Sequence, residues 1–170
     1  MKASLLGLAI ALVSLGGSAD DSLLAFEGGI GVHPVGGINA ATGLPTPNIV
    51  RNTSPGGAPW VIARLRAEVQ VDARISVAGR GLLLGGGNGI GTNGNQTVRA
   101  VLFCGPAAAA TSHSTSAAGV ALAANGDFRI NDTLSPPPPN PCTTPVLLIV
   151  NTPGGRWFAA GIPANDRDDD

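Results

Sequence analysis

The feature that most constrains the fold is a long alternation of apolar and polar residues that begins after Trp60. Every second residue from Val61 to Val77 is apolar, and mostly charged or polar residues stand between them. A period of two is typical of half-buried strands. One strand of this length would span about 55–60 Å, which is too long for a small domain, so we predict a turn near 70–73. An odd-length connection or a sharp bend is favoured because a two-residue loop would invert the phase of the alternation.

Further strands are predicted by short apolar segments with turn residues between them. The segments "TVRAVLFC" (97–104), "VLLIV" (146–150) and "RWFAAGI" (156–162) read as strands, and the last two are apolar on both faces, as in the centre of a packed sheet. Asn125-Gly126 indicates a hairpin, and a three-residue loop over 124–126 places Leu122 opposite Phe128. The class is therefore all-β. We expect a two-layer antiparallel β-sandwich, with an immunoglobulin-like layout and one disulfide.

The chain divides by composition into four parts. Residues 1–19 carry a lysine, an apolar run and small residues, the pattern of a secretory signal peptide that is too short for a membrane span. Residues 20–59 are rich in Gly and Pro and predict a loop-rich lead-in with edge strands. Residues 60–163 form the predicted sandwich, and 164–170 an acidic flexible tail. The mature chain is thus expected to have no membrane span.

Two cysteines, Cys104 and Cys142, are the only ones in the chain. In an exported protein such a pair is most simply a disulfide. If "AVLFC" and "VLLIV" are antiparallel neighbours, Cys104 ends one strand near Cys142, which precedes the other. The pair lacks the close spacing of a redox-active C-x-x-C motif.

The charge pattern excludes some classes of partner. After residue 20 the chain has nine arginines, no lysine and ten acidic residues, so no basic patch is predicted for nucleic acid or an anionic membrane. Aromatic residues are few and Tyr is absent, which leaves little for base or sugar stacking. The charged residues between 64 and 76 are predicted to form a solvated face and not a site; where opposite charges face each other across strands they contribute only a few tenths of a kcal/mol. No cofactor is expected.

A glycine motif after "LLL" resembles a dinucleotide-binding turn. It reads Gly89-x-Gly91-x-x-Gly94, but strand residues rather than a helix follow it, and the next carboxylate is Asp127. A nucleotide site needs a helix N-terminus facing the pyrophosphate. The segment "GRGLLL" (79–84) is therefore predicted to continue the sheet after a bulge at its glycines, and the glycine motif that follows it to lie in a long flexible inter-strand loop.

Candidate catalytic and metal-binding residues are sparse. The two histidines, His33 and His113, are too few for a zinc site once the cysteines are bridged, and no G-x-S-x-G surrounds a serine. We predict no catalytic, metal or cofactor residues. The alternative is a hydrolase in which His33 or His113 converges with a carboxylate such as Asp127 or Asp132.

Four segments within residues 56–163 carry a resemblance: "GGAPWVI", "VRAVLFCG", "NPCTTPVLLIV" and "GGRWFAAGIP". They resemble a group of small exported bacterial β-rich proteins with paired cysteines. The resemblance implies export and a β-domain, and it implies no activity. The expected function is a secreted, periplasmic or cell-envelope module, non-enzymatic, with a structural role or an extracellular protein or glycan as partner.

Overall fold

The computed structural model describes residues 21–164, which form thirteen β-strands and a 3-10 turn over Ala107–Ala109. The predicted signal peptide, 1–19, and all of the predicted tail beyond Ala164 lie outside these residues. The strands are β1 (Ser22–Gly31), β2 (Val35–Ile38), β3 (Pro45–Pro47), β4 (Trp60–Val61), β5 (Arg64–Gln70), β6 (Arg74–Arg80), β7 (Leu83–Leu84), β8 (Thr97–Cys104), β9 (Thr111–Ser114), β10 (Val120–Ala121), β11 (Phe128–Thr133), β12 (Val146–Thr152) and β13 (Trp157–Pro163).

Nine of the described strands form one antiparallel sheet. Its order is β10-β8-β12-β13-β1-β5-β6-β11, and β9 also pairs with β8. The two edges of the sheet approach each other, since Ser114, the last residue of β9, forms a bridge with Ser135, which follows β11. The sheet is therefore nearly barrel-like. The predicted all-β class and antiparallel pairing are confirmed. The two-layer sandwich with an immunoglobulin-like layout is not confirmed, because the main strands follow one another in a single curled sheet.

The alternating segment folds as predicted into β5 and β6. Residues 71–73 connect the strands, and this odd loop keeps the phase, so Val69 pairs with Ile75 and Ala67 with Val77. These four side chains are buried, while the residues between them point outward. The sheet therefore has a core-facing side and a charged outer side.

The centre of the sheet is the β8–β12–β13 group. Leu102 pairs with Leu147, and the side chains of 147–150 are all buried, which confirms the prediction of central strands. Cys104 and Cys142 are bonded, with their Cα atoms 5.0 Å apart, so the predicted disulfide is confirmed. It joins the end of β8 to the segment that leads into β12.

The lead-in differs from its prediction. β1 is not an edge strand: it lies between β13 and β5 in the interior of the sheet. The glycines of β1 make this segment look like a loop in the sequence. Gly31 is nevertheless required in the strand, because a β-carbon there would overlap the Trp60 backbone. The ring of Trp60 in β4 stacks on that of Phe158 in β13 with centroids 4.1 Å apart, which packs β4 against β13.

The predicted loop at 124–126 forms, but the strands on either side of it and segment 79–84 pair differently from the prediction. Ala123 donates to the Asp127 carbonyl around the three-residue loop, and Gly126 has φ +80°, as the predicted turn requires. The arms then separate, because β10 pairs with β8 and β11 with β6. Segment 79–84 was expected to continue the sheet, but the chain leaves it after β6 and β7 pairs with β4.

Candidate functional site

The candidate site lies on the outer side of β5, β6 and β11. Alternation points Arg64 and Arg66 outward from β5, Arg80 from β6 and Arg129 from β11, and all four are exposed. These four arginines and Ala78 are called the arginine patch below. Half of the eight arginines in the described residues belong to it.

The register of the three strands brings these arginines together. Arg64 stands opposite Arg80, while Ala78 stands opposite Arg66 on one side and Arg129 on the other. Directly opposed residues in an antiparallel pair have β-carbons about 4.5–5.5 Å apart. The four arginines and Ala78 line a depression of about 130 Å³.

Most of the positive charge in the patch is unneutralised within the described chain. Arg66 pairs with Glu27 on β1, through its Nε at 3.1 Å and through a terminal nitrogen. Arg64, Arg80 and Arg129 make no side-chain hydrogen bond or ion pair with any residue between 21 and 164. Like charges that face each other in a sheet oppose folding by a few tenths of a kcal/mol. The juxtaposition of Arg64 and Arg80 is therefore electrostatically unfavourable.

Acidic and polar groups bound the patch on one side. In the next row of the sheet, Glu68 stands opposite Ser76, which stands opposite Asn131. Beyond that row Arg74 is paired with Asp72 at 2.7 Å. The outer side is thus divided across the strands into a basic half and a mixed half.

This site corrects a sequence-based prediction. We expected no basic patch, whereas the register opposes Arg64 to Arg80. The near-neutral net charge of the chain does not reveal the cluster, because net charge carries no information on which arginines the sheet brings together. The signal that finds it is the odd loop at 71–73, which sets the β5–β6 register and thereby pairs the two arginines.

The residues of the hydrolase alternative have structural contacts instead. His113 is buried, and its ring nitrogens bond the Thr111 hydroxyl at 2.9 Å and the Pro136 carbonyl at 2.8 Å. His33 is exposed, with Nδ1 3.3 Å from the Val35 carbonyl oxygen. None of these partners is a carboxylate, so a base oriented by an acid is not assembled at either histidine.

The two carboxylates of that alternative bind backbone groups. Asp127 accepts a hydrogen bond from the Gly81 amide at 3.1 Å. Asp132 accepts from the amides of Ser116 and Thr133 at 2.8 and 2.7 Å. Both therefore stabilise the turns around β11.

The glycine motif forms the predicted loop. The Leu84 amide donates to the Thr92 carbonyl, the Gly91 amide donates to the Leu84 carbonyl, and β8 follows at Thr97. A strand thus stands where a nucleotide-binding turn would have its helix.

Residues 21–164 show neither a cluster of metal-binding side chains nor a membrane-spanning helix. Within this range no three His, Cys, Asp or Glu side chains lie close enough together to hold a metal ion. The same residues include no helix of the length and apolarity needed to cross a membrane. No family model, curated protein or solved structure matches the chain.

Proposed function

We propose that this protein is an exported, non-enzymatic module that binds an acidic glycan through the arginine patch. The observation that carries the proposal is the group of three arginines, Arg64, Arg80 and Arg129, that surround a small depression without a described counterion. The glycan would supply the missing negative charge as carboxylate or sulfate groups.

Arginine suits this role because of its chemistry. Its guanidinium is always charged, is weakly hydrated and presents a planar fork of donors that matches carboxylate and sulfate oxygens. Here the forks stand on three adjacent strands, which hold binding groups more precisely than loops do. An anion in the depression would also remove the repulsion between Arg64 and Arg80.

A glycan fits the patch better than a protein. Protein interfaces are centred on buried apolar and aromatic anchors. None of the five residues of the patch is aromatic, and Ala78 is its only apolar member. The large exposed apolar side chains lie elsewhere, among them Ile38, Leu44 and Ile90. A partner held by charge and hydrogen bonds, with hydroxyls for the nearby Ser76, is the better match.

A nucleic acid fits less well for two reasons. Single strands are held by aromatic side chains on which the bases stack, and the patch offers none. A long phosphate backbone would also pass Glu68 or Glu27, which border the patch. We therefore keep the expectation that the partner is extracellular and is not nucleic acid.

Export is the second part of the proposal. It is supported by the signal-peptide pattern of residues 1–19 and by the bridged Cys104 and Cys142, since disulfides persist in oxidising compartments. The near-absence of lysine and the resemblance noted above favour a bacterial cell envelope or its surroundings.

The test is calorimetric titration of the protein with a galacturonate oligomer and, separately, with a sulfated oligosaccharide and inorganic phosphate. The double variant R80S/R129S should bind at least about tenfold more weakly, because hydrogen bonds to charged groups contribute about 1.5–3 kcal/mol each. The matched control is R74S/R156S, which removes the same charge outside the patch. It should lose less than about threefold at 0.15 M salt, where exposed charges beyond about 8 Å are screened.

The comparison of ligands and variants decides the outcome. Tight binding of either glycan with the predicted difference between variants supports the proposal, and the preferred ligand identifies the anionic group. Equal losses in both double variants would show unspecific attraction and would overturn it. Preference for an acidic peptide or an oligonucleotide would also overturn it. So would a hydrolytic activity that disappears when His33 and His113 are both replaced by alanine.

A further inference from the structure

We infer that the glycan of this site is a mixed one, in which an acidic sugar at the arginine patch is followed along the strands by a neutral sugar. The inference rests on the proposed function, because it names the substrate class of the same site. The neutral sugar lies in a depression of about 380 Å³ beside the patch, called the polar depression below. Its lining includes Glu68, Gln70, Ser76, Asn131 and Thr133.

The polar depression continues the arginine patch along the strands. Arg66 and Glu68 point outward from β5 two residues apart, and Ala78 and Ser76 stand opposite them on β6. Two residues of a strand advance about 7 Å. All four residues line a further depression of about 280 Å³, which thus shares lining residues with the patch and with the polar depression. One oligosaccharide can therefore occupy both.

The polar depression presents hydrogen-bonding groups that residues 21–164 leave unused. Oε1 of the half-buried Gln70 is buried and has no donor within this range. The side chains of Glu68, Ser76 and Asn131 are exposed and make no hydrogen bond or ion pair there. Buried acceptors in folded proteins normally have a donor, so the Gln70 amide indicates a ligand that donates. The hydroxyl and amide groups of a neutral sugar are such donors.

The charge of the polar depression favours a neutral sugar over an acidic one. Glu68 and Asp132 both line it. Among the described residues that line it, Arg74 is the only cation, and it is paired with Asp72 at 2.7 Å. A ligand carboxylate placed there would face like charges, which disfavour a wrong partner. A chain in which acidic and neutral sugars alternate therefore fits the site better than a homopolymer of an acidic sugar.

The experiment compares two hexasaccharides by calorimetric titration at 0.15 M salt. One contains galacturonate only, and in the other glucuronate alternates with N-acetylglucosamine. The homopolymer carries twice the charge at the same length, so attraction to the arginines alone favours it. The variants are Glu68→Gln and Gln70→Leu. The control for Glu68→Gln is Asp21→Asn, which removes an exposed carboxylate that does not line the polar depression.

If the inference is right, the wild-type protein binds the alternating oligomer at least about threefold more tightly than the galacturonate oligomer. Glu68→Gln strengthens galacturonate binding about two- to fivefold and narrows this preference, whereas Asp21→Asn leaves the preference unchanged. Gln70→Leu weakens binding of the alternating oligomer about two- to tenfold, the effect of one neutral hydrogen bond, and leaves galacturonate binding unchanged.

The outcomes separate this inference from the proposed function. If the galacturonate oligomer binds as tightly as the alternating one or more tightly, and R80S/R129S still weakens its binding, the inference is wrong while glycan binding at the patch stands. If neither oligomer binds, both are wrong. A preference for the alternating oligomer that neither Glu68→Gln nor Gln70→Leu changes would also overturn the inference, because it would then arise outside the polar depression. Glu68 is exposed, so Glu68→Gln decides the outcome even if Gln70→Leu unfolds.

Discussion

Removing the Cys104–Cys142 bridge should lower stability through the unfolded chain and leave the native sheet intact. In the native state the two ends are held side by side without it, since Phe103 pairs with Val146 and the Gly105 amide donates to the Thr143 carbonyl. In the unfolded state the bridge closes a loop between residues 38 positions apart. The variant to make is C104A/C142A, which leaves no free thiol.

The expected loss follows from the size of that loop. Loop-closure entropy gives about 4 kcal/mol of unfolding free energy for a loop of this length. Unfolding of the 144 described residues carries an entropy of about 0.3 kcal/mol/K, at about 2.1 cal/mol/K per residue. The melting temperature should therefore fall by about 10–15 °C.

Urea unfolding of the wild-type protein, with and without a reductant, and of C104A/C142A measures this loss. The reduced wild-type protein and the variant should agree, and their amide spectra below the transition should match that of the oxidised protein outside the bridge. A loss below about 1 kcal/mol would refute the entropic argument. Shifts spread along β8 and β12 would show that the bridge instead shapes the native sheet.

Three further predictions concern the stability of variants at Gly79, at His113 and in the arginine patch. Gly79→Ala should cost about 1–3 kcal/mol in urea unfolding, because a β-carbon there would overlap the Phe128 ring, and Gly79→Ala with Phe128→Leu should recover part of the loss. His113→Ala should cost about 1–3 kcal/mol, because it removes a buried side chain together with its hydrogen bonds to the Thr111 hydroxyl and the Pro136 carbonyl; an unchanged unfolding midpoint would contradict this. R80S/R129S should unfold at the same urea concentration as the wild-type protein, or a few tenths of a kcal/mol higher in low salt, since like charges are removed. A clear loss of stability there would show that the patch is structural.

The pattern between Val61 and Val77 predicted two strands and their turn because a strand with one buried face has an apolar residue at every second position. The neighbouring strands β8 and β12 were predicted for a similar reason, since both are apolar runs and the bridged cysteines join them. These features depend on local pattern or on a covalent constraint. They need no knowledge of the rest of the sheet.

The interior position of β1 and the curled sheet could not be predicted in this way. β1 ends in "GGIG" because neighbouring backbone and side chains approach it closely, as Trp60 approaches Gly31 and Leu65 approaches Gly29. Such glycines read as loop in a sequence. The approach of the sheet edges near Ser114 and Ser135 depends on the summed twist of many strands.

The arginine patch could be predicted from the sequence only in part. The register of β5 and β6 follows from the predicted odd loop and opposes Arg64 to Arg80. The contribution of Arg129 depends on β11 pairing with β6, and the sequence had assigned the β11 segment to a hairpin with β10. One half of the site was thus within reach of sequence reasoning.

The most direct measurement is the mapping of amide chemical shifts during titration with an anionic oligosaccharide. The account predicts that shifts concentrate at residues 64–66, 78–80 and 129, saturate with ligand and weaken as salt rises. Shifts concentrated instead in the glycine loop at 85–95 or around His113, with residues 64–66, 78–80 and 129 unchanged, would contradict it.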